Sequence, residues 1–323
     1  MLQPPTFQDV LEARQVIGRY LARTPLHHYP ALSDLLGCQV YVKHENHQPV
    51  GAFKVRGGVY LASQLSAEVR QRGLIAASTG NHGQSVAYAG RLFGVRAIIG
   101  VPQGANPGKV AAMRALGAEV HFYGSDFDAA REYVEQLATQ EGYRYVHSGD
   151  EPHLIAGVGT YALEILEDLP AVETIIVPVG GGSGAAGVCT VVEALKPAVQ
   201  VIGVQSEAAP AAFKSWQARK LVTDKMETVA EGLATRTAFD LPQRILWQHL
   251  NDFWLVSDQE IRRAIVLMLE YTHNLAEGAG AAPLAAALKY KEQLAGRKVA
   301  LVLSGGNLSL ERLRWALSDA SAS

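Results

Sequence analysis

Leu74-Ile75-Ala76-Ala77-Ser78-Thr79-Gly80-Asn81-His82-Gly83 reads as a short apolar strand running straight into a turn of small and polar residues, and the amphipathic stretch 84–93 that follows reads as a helix. The alternation repeats downstream, with 97–101 before 107–116 and 119–123 before 126–140. Strands joined through helices must be crossover-connected, so residues 73–148 are expected to form a parallel sheet. Ser125, with Asp128 three positions on, is expected to open the last of these helices, and Gly94 to close the first.

The same logic extends outward in both directions. Beyond Glu151-Pro152, a second α/β set is expected: helix 159–169, strand 174–179, helix 185–195, strand 199–204, helices at 211–220, 259–273 and 282–294, strand 298–303 and a helix from 309. Upstream, Phe7, Val10, Leu11, Val16 and Ile17 share one helical face, and 38–43 alternates as a strand. The fold class is therefore α/β, with two open, twisted, mostly parallel sheets and flanking helices. The tail 318–323 is expected to fray.

Composition removes several function classes. A chain of 323 residues that is 48% hydrophobic and 19% charged is an ordinary globular composition, which excludes disorder. A net charge of −2 without a Lys/Arg run offers no field for nucleic acid. No apolar run approaches the roughly 18 residues of a membrane helix. Residues 1–10 hold two prolines, an acid and no apolar core, so no signal peptide is expected; Cys38 and Cys189 are then free thiols of a cytoplasmic protein.

The chemistry centres on Gly51-Ala52-Phe53-Lys54-Val55-Arg56-Gly57-Gly58. A lysine among Ala52, Phe53 and Val55 is partly desolvated, which disfavours its ammonium form and leaves an amine able to form a Schiff base. The flanking glycines are expected to let a flat ligand approach. A surface lysine at a strand end is the plain alternative, and two glycine turns weigh against it. Gly180-Gly181-Gly182-Ser183-Gly184 lies between strand and helix, so backbone amides and helix dipole face one space suited to a phosphate. Gly182, Gly184 and Gly187 also satisfy G-x-G-x-x-G, with Glu207 about 20 residues on, where a ribose-binding acid belongs, so a nicotinamide enzyme stays open as a rival. The turn from Ser78 to Gly83 offers hydroxyls, an amide and helix-start N–H groups suited to a substrate carboxylate; a helix cap by Ser78 or Asn81, worth about 1 kcal/mol, is its plain alternative. Ser304, in Leu303-Ser304-Gly305-Gly306-Asn307 at the end of the last strand, can hydrogen-bond a ring nitrogen without protonating it, or can simply be a turn serine. His44-Glu45-Asn46-His47 suggests a metal, but its histidines are three apart instead of four, and solvated loop residues are expected there.

Together with Ile155-Ala156-Gly157-Val158-Gly159-Thr160, these motifs and their order make the chain resemble the threonine dehydratase and serine racemase family, pyridoxal-phosphate enzymes of fold type II. The resemblance implies a large cofactor-binding domain from residues 1–72 and 149–323, with a small domain, 73–148, inserted. It implies pyridoxal 5'-phosphate on Lys54, with Phe53 beside the pyridine ring, Asn81 on the ring hydroxyl, Ser304 on the ring nitrogen and Glu277 near the cofactor. Gly180, Gly181, Gly182, Ser183 and Gly184 would hold the phosphate. Ser78, Thr79, Asn81 and His82 would take the substrate carboxylate, with Ser78 and Thr79 joining Lys54 as catalytic groups. The racemases carry a second serine as opposite-face acid/base where this chain has Thr79, which argues against efficient racemisation. Some relatives bind a divalent cation through acids where this chain has Gln205 and Ala211, so no metal is expected. The regulatory C-terminal domain of biosynthetic relatives is also expected to be absent. The implied reaction is β-elimination from L-threonine, L-serine or a similar β-hydroxy amino acid to a 2-oxo acid and ammonia, in a homodimer. Racemisation, or cofactor binding without catalysis, are the alternatives on this scaffold. Glu231-Gly232-Leu233-Ala234-Thr235-Arg236 is similar to a stretch in dehydratases of hydroxyectoine breakdown.

Overall fold

A computed structural model describes residues 2–318. Among them lie ten strands: β1 Leu26–His28, β2 Gln39–His44, β3 Leu74–Ala77, β4 Ala97–Val101, β5 Glu119–Phe122, β6 Arg144–Tyr145, β7 Thr174–Pro178, β8 Gln200–Ser206, β9 Asp252–Val256 and β10 Lys298–Leu303. They form two sheets in two compact units, one made of the residues up to Leu21 with Lys54–Val158, the other of Ala22–Phe53 with the chain from Gly159 onward. The expected tail beyond 318 lies outside the described residues.

In the first unit, four strands run parallel in the order β5-β4-β3-β6, with Leu74 opposite Ala97 and Ile98 opposite Glu119. Every residue of β3 and β4 is buried, as a sheet covered on both faces requires. The two-residue period sorts the faces. Leu74, Ala76, Ile99 and Val101 share a cluster with Leu61, Val86 and Met113 from three helices, Lys54–Ser63, Asn81–Phe93 and Pro107–Ala115. Ile75, Ala77 and Ile98 face Val134 of the helix Phe127–Glu141. That helix is capped by Asp126, whose carboxylate accepts from Ala129 N at 2.9 Å, in place of the expected Ser125. Gly94 ends the helix Asn81–Phe93 in the left-handed region, as expected.

The insertion 73–148 holds all four strands, yet the compact unit around it is larger. The helix Lys54–Ser63 lies flat on Asn81–Phe93, where a Cβ on Gly58 would stand 2.8 Å from Ser85 O, and a Cβ on Gly57 would stand 2.8 Å from Leu154 O. These two glycines admit neighbouring backbone, which corrects the expectation that they make room for a ligand.

The second unit carries the mixed sheet β1-β2-β10-β7-β8-β9, parallel except for the β1–β2 pair. The helix Gly278–Lys289, alanine-rich and buried from Gly278 to Ala287, packs into its main core with Ile176, Ile202, Val299 and Leu301. His44 and Glu45 are buried, not solvated as expected. His44 Nε2 pairs with Tyr29 Oη at 2.9 Å, Glu45 Oε1 accepts from Thr24 Oγ1 at 2.5 Å, and neighbouring Lys43 meets Glu164 at 2.6 Å. Buried charges need such partners, and these come from segments that the local sequence does not reveal. Among the described residues, no helix is long and apolar enough to cross a membrane.

Candidate active site

Lys54 opens a helix and does not end a strand. Its backbone carbonyl accepts from Ser85 Oγ at 2.7 Å, which ties the helix start to the helix Asn81–Phe93. The amine donates to Ser148 O at 2.7 Å. Burial pulls its pKa from 10.5 to about 8, so a neutral fraction exists near neutral pH.

The turn after β3 belongs to the same unit. Ser78 Oγ accepts from Gly80 N at 3.2 Å and Gly83 N at 2.9 Å, so this hydroxyl builds the turn. The helix begins at Asn81, three residues earlier than expected, with Gly80 at the N-cap, and Ser78 caps its third amide, that of Gly83, as the plain reading of the turn held. A Cβ on Gly80 would meet nothing within 4 Å. Among the described residues, the Thr79 hydroxyl makes no hydrogen bond. His82 is buried and donates from Nε2 to Val146 O at 3.0 Å, while its Nδ1 has no partner. Burial first, then the nearby Lys54 charge, lowers its pKa to about 3, so the ring is neutral. The turn thus brings an unbonded hydroxyl and a buried ring nitrogen without a partner to the start of a helix.

The second unit holds the glycine loop between β7 and the helix Ser183–Leu195. Gly182 adopts φ +88°, and no side chain caps the helix after it, so its first amides keep the character of an anion site. Three of the glycines are required by protein packing: a Cβ would meet Gly232 C at 3.1 Å from Gly180, Phe239 Cδ2 at 2.6 Å from Gly181, and Pro242 Cβ at 2.9 Å from Gly182. Access for a phosphate is therefore not their only reason. Near Gly184, the Phe53 ring stands edge-on to Tyr161 at 6.1 Å, and Tyr161 Oη donates to Gly184 O at 3.1 Å.

Ser304 lies at the end of β10 and is buried. Its carbonyl accepts from Phe53 N at 3.0 Å, Gly51 O accepts from Gly306 N at 2.9 Å, and Asn307 Nδ2 donates to Val50 O at 2.8 Å. The chain leading to Lys54 is thus held along its length by the 304–307 turn. Among the described residues, the Ser304 hydroxyl makes no hydrogen bond. Glu277 precedes the helix Gly278–Lys289, and its Oε1 would lie 2.5 Å from a Cβ on Gly305.

The remaining candidates resolve by their partners. Glu207, the acid a nicotinamide site would need, pairs with Lys289 at 2.7 Å. Gln205 Oε1 accepts from Phe213 N at 3.0 Å, so an amide bonded to a helix start fills the position of a cation-binding acid. Among the described residues, no group of three or more His, Cys, Asp or Glu could hold a metal ion. Sequence reasoning missed Ser148 and His147. A backbone carbonyl that accepts from a lysine 94 positions away leaves no trace in residue types.

Each unit carries groups of the kind pyridoxal phosphate needs: the first an amine able to be neutral, the second a glycine-loop helix start and a buried hydroxyl at a strand end. Comparison with known proteins agrees. A family model described as pyridoxal-phosphate dependent enzyme matches residues 17–305. The L-threonine ammonia-lyase of Thermotoga maritima is 40% identical over 309 residues, 95% of this chain and 77% of that protein. The L-threo-3-hydroxyaspartate ammonia-lyase of Saccharomyces cerevisiae is 36% identical over 97% of both chains. Among solved structures, the serine racemase of Dictyostelium discoideum superposes with a TM-score of 0.89 at 31% identity, covering 95% of this chain and 99% of that one. The chain belongs to the pyridoxal-phosphate dependent enzyme family.

Proposed function

We propose that the protein eliminates water from a β-hydroxy amino acid such as L-threonine or L-serine and releases a 2-oxo acid and ammonia, with pyridoxal phosphate carried on Lys54. When bound, the cofactor supplies an electron sink for the charge left at Cα. The observation that carries the reading is the Lys54 amine, whose pKa of about 8 suits it to take the Cα proton and hand it on. The Ser148 carbonyl accepts an N–H of that amine and steadies it in either protonation state. The turn from Ser78 to His82 receives the substrate carboxylate on the amides at its helix start and on the Thr79 hydroxyl, with Ser78 holding the turn closed. Asn81, at the first position of that helix, would bond the ring hydroxyl.

Gly180 to Gly184 would hold the phosphate, Phe53 would flank the ring, and Glu277 would lie near it. Ser304 would donate to the ring nitrogen without giving up its proton, since a hydroxyl is far too weak an acid to protonate a pyridine. Racemisation on the same residues is the second reading; it would need the Thr79 hydroxyl as proton donor, and the bulk of Thr79 in place of a second serine weighs against it. A cytoplasmic homodimer completes the proposal.

Purified protein supplied with pyridoxal phosphate is expected to be yellow and to release 2-oxo acid from L-threonine or L-serine. Lys54→Ala is expected to lose the visible band and about 1,000-fold or more of turnover. Assay of the D-isomer in the same mixtures separates racemisation. A Lys54→Ala variant with wild-type turnover would overturn the reading.

A further inference from the structure

The segment from Val146 to Asp150 takes hydrogen bonds from two residues of the proposed site: Lys54 Nζ donates to Ser148 O at 2.7 Å, and His82 Nε2 to Val146 O at 3.0 Å. Between these acceptors lies His147, whose Nδ1 accepts from Gly149 N at 3.2 Å and Asp150 N at 2.8 Å. An acceptor at residue i taking the amides of i+2 and i+3 is the pattern of a side-chain-closed turn, usually built by Asn, Asp or Ser. The same chain builds one with Asn106, whose Oδ1 accepts from Gly108 N at 2.9 Å and Lys109 N at 3.2 Å. At His147, an imidazole nitrogen does the work of that amide oxygen.

We infer that His147 is a positioning residue for Lys54: its Nδ1 closes the turn that aims the Ser148 carbonyl at the lysine amine. Ser148 is the residue the turn encloses, so closing the turn fixes the backbone dihedrals that set its carbonyl direction. The next bond, Glu151 N to Gly149 O at 2.8 Å, continues the turn toward the helix Pro152–Asp168, whose first bonds include Ile155 N to Glu151 O at 3.1 Å. The segment is therefore anchored on its far side as well. Nδ1 can accept two amides only while unprotonated, which puts the ring proton on Nε2. Burial lowers the pKa of this ring, Asp150 opposes the shift and the Lys54 charge adds to it. In the reaction, the proton taken from Cα arrives on Lys54 Nζ as an ammonium N–H in apolar surroundings, where a carbonyl held at hydrogen-bond distance stabilises it. That kinetic consequence rests on the β-elimination reading, whereas the turn itself does not.

Three variants separate this role from others. His147→Asn keeps an acceptor at the Nδ1 position, His147→Gln places its amide near Nε2, and His147→Ala removes both. In apoprotein, hydrogen–deuterium exchange at Gly149 and Asp150 is expected to stay near wild type in His147→Asn and to rise about tenfold or more in His147→Ala and His147→Gln. In cofactor-loaded protein, His147→Ala and His147→Gln are expected to lose about tenfold or more in kcat, with KM within about threefold and the visible band kept, while His147→Asn retains most of kcat. Unchanged exchange in His147→Ala overturns the inference. So does activity kept by His147→Gln and lost by His147→Asn, which would put the function at Nε2, or a lost turn with unchanged kcat. A wild-type protein that makes no 2-oxo acid from any β-hydroxy amino acid would remove the reaction reading, and the exchange measurement would still decide the turn.

Discussion

An ammonium brought from water into the buried surroundings of Lys54 loses hydration, and this lowers its pKa from 10.5 to about 8. In apoprotein, modification of Lys54 by an amine-directed reagent should therefore follow a midpoint near pH 8; a midpoint near 10.5 would show a solvated lysine. The same shift has a stability consequence. Because the folded-state pKa lies below the unfolded one, the burial penalty is fully present below about pH 8 and fades as pH rises toward 10.5. Lys54→Met apoprotein should be more stable than wild type at pH 7 by on the order of 1–3 kcal/mol, with the gain vanishing above pH 10.5, as read from urea midpoints. A variant less stable at pH 7 would contradict this. The apolar residues beside Lys54 in sequence pointed to a desolvated amine, while the partner it reaches on folding, Ser148, lies 94 positions away. His44 and Glu45 were not legible in the same way, because Tyr29 and Thr24, which allow their burial, lie 15 and 21 positions away.

At the scale of elements, the strand–helix rhythm of 73–148 and the run Lys298–Leu303 could be read directly, since β-branched apolar runs bounded by glycine have few other readings. The helix Lys54–Ser63 could not. Gly57 and Gly58 in its first turns speak against a helix, and only Leu154 and Ser85 of its neighbours explain them. The short strands β1 and β6 offer too few residues for a periodic signal. The glycine loop was read correctly as a loop, but three of its glycines answer to Gly232, Phe239 and Pro242. Gly181→Ala should accordingly weaken cofactor retention and lower stability by about 1–3 kcal/mol, because its Cβ would run into the Phe239 ring, 2.6 Å from Cδ2 and nearer still to Cε2. Gly58→Ala should cost a similar amount by parting two helices, while Gly104→Ala, where a Cβ meets nothing within 4 Å, should leave urea midpoints almost unchanged. Equal effects at all three positions would contradict the packing account.

For the molecule as a whole, each unit buries a neutral histidine: His82 with a pKa near 3 in the first and His44 near 4 in the second, both lowered chiefly by burial from 6.5. Their folded-state pKa values lie below the unfolded ones, so protons favour the unfolded chain, and stability falls as pH drops below about 6.5. At pH 5 the loss should be about 2 kcal/mol from each ring, measured as urea midpoints against pH 7. A flat profile between pH 7 and 5 would mean that neither ring is held neutral. The extent of the first unit could not be read from sequence for a related reason. The helices that complete it, before and after the inserted strands, are recruited by backbone contacts at Gly57 and Gly58 and not by any break in composition. The central claim is that Lys54 carries the cofactor. Borohydride reduction of the cofactor-loaded protein, followed by peptide mapping, tests it most directly: the account requires the reduced pyridoxyl group on Lys54, and finding it on another lysine, or on none, would contradict it.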